Sequence, residues 1–425
     1  MATTRPATDE DPGTVRLRAD ACPGVLATHD AADGPLARVR LPGGGLSPAQ
    51  AQAVAACADE LGDGSVHLTS RGNLQLRAIR DVDALVGRLA DAGLLPSPAH
   101  ERIRNILGSP LAGVVPREDG GDPAEAVEPG TCARVADIRP LVSELDAVVC
   151  ATPELTGLPG RFLFALDDGS GDVAADADLC WRATTADTGA VLAAGADTGL
   201  RVPAARAAEA MVAGARTFDE VRAAAWRLRE IDPAPVVETL RPYASADVGP
   251  AVQRFAPPVP VGPVPGTGCV VAAPRFGELS ATTLHELGRR GPAAHRTPAA
   301  HSASAAHSAG RALTVTPWRT VVVHDTSAGE LAELPDLVVD PADPLLGVSA
   351  CIGAPRCAKS HADVRADAAA LAPAGVGAHF AGCSRRCGRP GGSHIDVVAA
   401  EGGYQVGGTF VGLDRVAEAL SAQRR

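Results

Sequence analysis

Apolar and polar positions along this chain alternate with two different periods, and the switches between them mark its elements. LARVRL (36–41) alternates with period two and predicts a strand. PGGGLSP (42–48) then reads as a turn opening a helix, with Ser47 placed to cap it and Pro48 suited to its first turn. AQAQAVAACADEL (49–61) continues as helix and stops at Gly62. SVHLTSRGNLQLRAI (65–79) predicts strand, sharp turn, strand, and DVDALVGRLADAG (81–93) a second helix with an aspartate cap and a terminal glycine. This order of elements points to an α+β, ferredoxin-like sandwich.

The pattern recurs. CVVAAPRFGELSATTLHELGRR (269–290) followed by RALTVTPWRTVVV (311–323) repeats it, with Leu279-Ser280 matching Leu46-Ser47 and Thr316 matching Thr69. The second copy is longer by the run GPAAHRTPAAHSASAAHSAG (291–310), which reads as a low-complexity loop whose histidines need bind nothing. Six segments follow: a disordered tail over 1–14, a half-domain over 15–95, a middle α/β domain over 96–240, a proline-rich linker over 241–265, a second half-domain over 266–340, and a last α/β unit over 341–425. The middle domain is expected to carry a strand at 161–166 and a helical run from about 203 to 231. An amphipathic helix is expected near 412–423.

Composition sharpens this outline. The chain has 425 residues, enough for several compact domains, and 46% hydrophobic with 21% charged residues excludes general disorder. No run approaches ~18 uninterrupted apolar residues, and the N-terminus lacks a charged-then-apolar signal pattern, so a cytoplasmic protein with no membrane partner is expected. The net charge of −11 is uneven: Glu118 to Asp178 holds fourteen acids against three arginines, a net of −11, which leaves the remainder neutral. That acidic stretch reads as a solvated face rather than a docking surface. Lysine occurs once, at Lys359. Aromatics total 3%, and no basic-aromatic pattern for nucleic acid is present.

Cysteines carry the chemistry. Cys22, Cys57, Cys132, Cys150, Cys180 and Cys269 are scattered singly and read as small buried apolar residues. Cys351 and Cys357 are spaced by five residues, Cys383 and Cys387 by three. Two close pairs of thiols in a reducing compartment suit one metal centre, zinc or a [4Fe–4S] cluster. Zinc knuckles space each pair by about two to four residues, so the wider first pair favours the cluster.

Those cysteines, with LPGG-x-LS, HLTSRGNLQL and RNILGSPLAG (104–113), resemble the sirohaem-dependent sulfite and nitrite reductases, whose ferredoxin-like half-domain occurs twice per chain. The resemblance covers nearly the whole chain. Within that superfamily SPLAG, LPGRFLFALDDG, CIGAPRCA and GCSRRCGRP are most similar to the precorrin-3B synthases. The resemblance implies a [4Fe–4S] cluster on Cys351, Cys357, Cys383 and Cys387. It also implies an O2-dependent monooxygenase of cobalamin synthesis that oxidises precorrin-3A at C20 and closes a lactone. The alternatives are a sirohaem sulfite or nitrite reductase, and a non-catalytic iron–sulfur or zinc protein that binds tetrapyrrole.

In the reductases two lysines follow the Leu-Pro pair; here LPGRFLFAL keeps Arg161 and has Leu163 at the second place. Arg71 and Arg104 match arginines of the reductases' substrate pocket, and with Arg77 and Lys359 they are the candidates for holding substrate carboxylates, which the planar guanidinium takes bidentately. Strand alternation would put Arg71 and Arg77 on one face and Arg80 on the other, while Arg88 reads as a solvated helix residue. A mononuclear non-haem iron is also implied, for which His361, Asp363 and His379 or His394 could imitate a two-histidine, one-carboxylate site. Gly169–Ala174 fits GxGxxA, but its aspartates argue against a pyrophosphate and it reads as a hairpin turn. Electrons are therefore expected from an external donor, a ferredoxin or an NAD(P)H-dependent reductase.

Overall fold

The computed structural model describes residues 22–114, 134–251, 254–290, 310–371 and 375–423. The expected tail (1–14), nearly all of the low-complexity loop, Cys132 and the five acids from Glu118 to Glu128 lie outside the described residues.

Local sequence sets the first copy as its pattern predicts. Ser47 Oγ accepts the Gln50 N–H at 3.2 Å while Gln50 Oε1 accepts the Ser47 N–H at 3.1 Å, a reciprocal cap that starts the helix Pro48–Leu61. Asp81 caps the helix Val82–Asp91 through the Ala84 N–H at 2.9 Å. Thr69 Oγ1 accepts the amides of Arg71 and Asn73 at 3.3 and 3.0 Å, pinning the turn between strands Ser65–Leu68 and Leu74–Leu76.

The second copy builds the same turn with different residues. Thr316 Oγ1 accepts the amides of Trp318 and Thr320 at 3.2 and 3.3 Å, between strands Leu313–Val315 and Val321–Val323. Gly72 and Arg319 occupy equivalent left-handed positions, with φ of 63° and 60°. The pseudo-twofold repeat is thus visible in the hydrogen bonds themselves.

The copies are not independent units. Glu278–Ser280, from the second, pairs antiparallel with Ser65–His67 of the first. Gly45–Leu46, from the first, pairs with Leu313–Thr314 of the second. Each copy therefore completes the other's sheet, and the helices Pro48–Leu61 and Ala281–Arg290 pack together. An added Cβ on Gly288 would lie 3.1 Å from Ala51 Cβ. Leu46, Val54, Leu76, Leu279, Leu284 and Leu313 share one core.

The middle region forms a six-stranded mixed sheet in the order 246–247, 196–203, 188–193, 179–183, 164–167, 106–108. Its last three strands run parallel, covered by helices Arg139–Cys150 and Ala204–Val221. The expected helix to 231 stops at Val221, because Ala223 takes a left-handed φ of 48°. The GxGxxA run is not a hairpin: strands Phe164–Asp167 and Leu179–Ala183 run parallel, and the loop between them wraps the Asp167 carboxylate, which accepts the Gly169 and Gly171 N–H groups at 2.9 and 2.8 Å. The described acids there form a solvated face only in part: Glu144, Glu154 and Asp176 are exposed. Asp146, Asp167, Asp168 and Asp178 are all buried, each facing an arginine.

The last unit places strands Val348–Ala350, Ala378–Ala381 and Ile395–Ala400 parallel, with two antiparallel strands beyond them. Its closing helix is shorter than expected, Val416–Ala422, after a single tight turn. No helix among the described residues is long and apolar enough to cross a membrane.

One buried ion network fastens this unit to the exchanged strands. Arg356, between Cys351 and Cys357, holds Glu278 bidentately at 2.8 and 2.9 Å and reaches Asp63 at 3.3 Å. Arg365 also bonds Glu278, and His67 Nδ1 lies 3.3 Å from it. Burial pushes the Glu278 carboxyl up, but the Arg356 bond and the fields of His67 and Arg365 overcome this and hold it at about 2. A depressed folded-state value stabilises the protein above the ordinary carboxyl range and is lost as pH falls toward 2. Unfolding followed against pH should therefore show this loss setting in below about 4.5. Glu278→Gln should flatten that dependence and cost roughly 2 kcal/mol at neutral pH, somewhat under the value for a fully buried pair.

Candidate functional site

Two structural features are candidates for function: a cavity between the two half-domain turns and the middle sheet, lined by arginines, and a pair of cysteine loops in the last unit. The cavity encloses about 280 Å³ between the two equivalent turns and the middle sheet. Arg71 and Arg227 line it on one side, Asp172 and Asp176 on another, with Leu163 and Trp318 among its apolar walls. Arg227 is aimed by Asp178, whose carboxylate takes its Nε at 2.6 Å and the Leu163 and Leu228 N–H groups at 2.8 Å each. Arg71 makes only a long bond, 3.4 Å, to the Gly160 carbonyl. Burial, reinforced by the like charge of Arg227, lowers its guanidinium to about 10, so it remains a cation at neutral pH. A half-buried cation with so weak a partner is poised for an anion.

Behind Arg71 stand Arg38 and Arg40, which approach Cys22 Sγ at 3.3 and 3.5 Å. Arg40 is buried and its Nη1 has no partner among the described residues. Arg38 lies on the strand Gly34–Val39 and Arg40 directly follows its end.

The other predicted cations fare differently. Arg104 is 2% exposed and forms a two-point bond to Asp146 at 2.7 Å, so it is a structural ion pair and not a substrate ligand. Arg77 is bound two-pointed to Asp33 at 2.6 Å, beyond the end of its strand at Leu76, so the alternation expected through Arg80 does not apply. Arg161 stacks over the Trp226 ring at 4.4 Å. Lys359 is exposed on the first cysteine loop, and Arg88 pairs with Glu60 on the surface. Of the arginines and the lysine singled out in the sequence, only Arg71 lines the cavity.

Sequence reasoning missed Arg227 and Trp318. No local signal marks Arg227, because its partner Asp178 is 49 residues away. Trp318 was findable: matching Thr316 to Thr69 puts Trp318 opposite Arg71.

The cysteine loops leave the C-terminal ends of two adjacent parallel strands, Val348–Ala350 and Ala378–Ala381. The Cys351 N–H donates to the Phe380 carbonyl at 2.9 Å, the Gly382 N–H donates to Cys351 Sγ at 3.1 Å, and the His361 N–H donates to the Gly382 carbonyl at 2.8 Å. A Cβ at Gly382 would run into Ser360 Oγ, so the close approach needs glycine. Burial raises the Cys351 thiol, the amides of Gly382 and Gly353 oppose that, and the fields of Cys387 and Cys357 raise it further. Cys387 is exposed and the other three half-buried.

Among the described residues no three His, Cys, Asp or Glu side chains close on one point as a single ion requires. His361 and Asp363 are exposed, and Asp363 caps a helix through the Ala366 N–H at 3.1 Å. Four thiols spread over two glycine-bearing loops, with an amide already on one sulfur, fit a cluster that takes one thiolate per iron.

The pattern of the nitrite/sulfite reductase ferredoxin-like half domain matches residues 29–92. A precorrin-3B synthase of Sinorhizobium sp is 28% identical over 417 residues, 93% of this chain and 84% of that protein. The ferredoxin–nitrite reductase of Synechococcus elongatus is 33% identical over 138 residues, 32% of this chain but only 25% of that protein. The solved structure of the Mycobacterium tuberculosis NirA protein superposes with a TM-score of 0.63 at 20% identity, over 90% of this chain and 79% of that one, which is a likeness of fold.

The two arginines should separate in urea unfolding. Arg104→Gln strands Asp146 in the interior and should cost about 3–5 kcal/mol. Arg71→Gln removes a poorly partnered cation and should change stability by less than about 1 kcal/mol.

Proposed function

The chain belongs to the nitrite and sulfite reductase superfamily, and on that premise we propose that it is an iron–sulfur monooxygenase of the precorrin-3B synthase kind. It would oxidise precorrin-3A at C20 with O2, close the ring A acetate as a lactone and draw electrons from an external ferredoxin or reductase. The observation that carries this reading is extent. Similarity to the precorrin-3B synthase runs along the chain, whereas similarity to the nitrite reductases stops at about a third of it.

The site's chemistry supports the same choice. Leu163 lines the cavity where the reductases have a second lysine, so the wall is apolar where a small anionic substrate would need charge. Arg71 and Arg227 can each take a carboxylate, and a precorrin carries several acetate and propionate arms. A cavity of about 280 Å³ is too small for a macrocycle and suits an arm or ring edge entering it. Trp318 offers a flat face for such an edge. Cys351, Cys357, Cys383 and Cys387 would hold the cluster, which when bound supplies one-electron transfer. The chain's part is to bind the arms, orient the ring and keep water from it.

Protein reconstituted without oxygen should contain iron and acid-labile sulfide in equal amounts and show a broad visible shoulder without intense Soret bands. Soret bands from bound sirohaem would favour the reductase reading, and a colourless zinc protein would favour the scaffold. With precorrin-3A, reductant and O2 it should form a lactone product; no product would overturn the assignment. Cys351→Ser and Cys387→Ser should lose most of the iron, while Cys57→Ser, at a buried thiol, should keep it. Arg71→Gln should raise KM about tenfold or more, the loss of one charge-assisted pair.

A further inference from the structure

We propose that His379 is the hydrogen-bond donor that sets the reduction potential of a cluster held by the four cysteines; this rests on the reading of those cysteines given above. The imidazole is fully buried (0% exposed), and its Nε2 has no partner among the described residues. Leaving such a group unmatched costs about 1–3 kcal/mol, so a buried nitrogen without a partner calls for one.

The fold shows where that partner sits. Phe380 points into the core of the last unit, so its neighbour His379 lies on the opposite face of the strand. Ser349 and Asp396 stand beside it in register on the two adjacent strands. The loop bearing Cys383 and Cys387 is lashed onto this face through Asp396, which takes Arg389 at 3.0 Å and Arg386 at 3.5 Å. Arg386 lies between the two cysteines and Arg389 two residues past Cys387. A Cβ built on Gly388 would stand 4.0 Å from His379 Cε1, so the outer edge of the ring abuts the end of the cysteine loop.

None of the other described neighbours accepts from Nε2: Asp396, in register on the adjacent strand, is taken up by Arg389, Arg386 and His394. His394, whose ring lies 6.2 Å away, already has Nδ1 on the Gly392 carbonyl at 2.6 Å and Nε2 on Asp396 at 3.2 Å. Arg319 and Arg389 bring positive charge and no lone pair. Ser349 Oγ lies 2.9 Å from Nδ1; donating its one proton there leaves the ring proton on Nε2. Sulfur of the cluster or its thiolates is the acceptor that this loop supplies. An N–H to sulfur stabilises the more negative, reduced state and raises the midpoint potential.

The test is a redox titration of the loaded protein followed by electron paramagnetic resonance. His379→Phe, matched to wild type in iron and sulfide, should show a lower midpoint and altered g-values. His379→Gln keeps an amide N–H and should recover part of the shift; it carries the comparison where the Phe variant loads poorly. Cys57→Ser should titrate as wild type. A role in packing alone would change the melting temperature of the cluster-free protein and leave the midpoint of both loaded variants at the wild-type value, which would overturn the inference. Wild-type protein that takes up no iron and sulfide would overturn the reading of the cysteines and this inference together.

Discussion

The exchange of one short strand by each half is the constraint on which the rest depends. Glu278–Ser280 sits in the first copy's sheet and Gly45–Leu46 in the second's. Because each strand is followed at once by a helix, the exchange also forces the two helices together and merges two small cores into one. Neither half can close its sheet alone. The same exchange delivers Glu278 to the boundary with the last unit, where Arg356 grips it from within the first cysteine loop. Sheet pairing and cysteine placement are thus coupled through a single carboxylate. This is why its depressed pKa matters to more than local stability.

Elsewhere most arginines meet acids, including Arg227 in the cavity wall, which is held by Asp178. Arg104, Arg77 and Arg134 are bound to Asp146, Asp33 and the pair Asp168 and Asp172. Arg71 and Arg40 are not bound to carboxylates, and both are pulled down to about 10 by burial. Within the acidic middle region Asp146, Asp167, Asp168 and Asp178 are buried against arginines, whereas Asp172 and Asp176 line the cavity.

What was legible in the sequence follows from range. The caps at Ser47 and Asp81 were readable because cap and partner lie within three residues. The repeat was readable because Thr69 and Thr316 each organise a turn within four residues. The four cysteines were readable as two pairs because each pair shares one loop. Arg104 and Arg77 were misread because their acids lie 42 and 44 residues away, and nothing near either arginine announces them. The hairpin turn at 169–174 failed for a related reason: alternation marks a strand but not its direction, and here two parallel strands flank the loop. Strand exchange was invisible because a strand reads the same whichever sheet it joins.

The repeat also explains how one cavity gains both charge and shape. Its two turns are equivalent in backbone, down to the left-handed residue, yet they carry Arg71 and Gly72 in one and Trp318 and Arg319 in the other. Two arginines facing each other in about 280 Å³ would repel, and Arg227 already lowers Arg71 by its like charge. Tryptophan at the second place gives an apolar wall without a further cation. Shifting the second turn's arginine by one residue, to the position glycine holds in the first, moves its charge out of the cavity and toward the last sheet, where its field reaches His379. A one-residue displacement within a duplicated turn thereby divides the work. One copy puts its cation into the cavity, and the other puts an apolar ring there and turns its arginine toward His379.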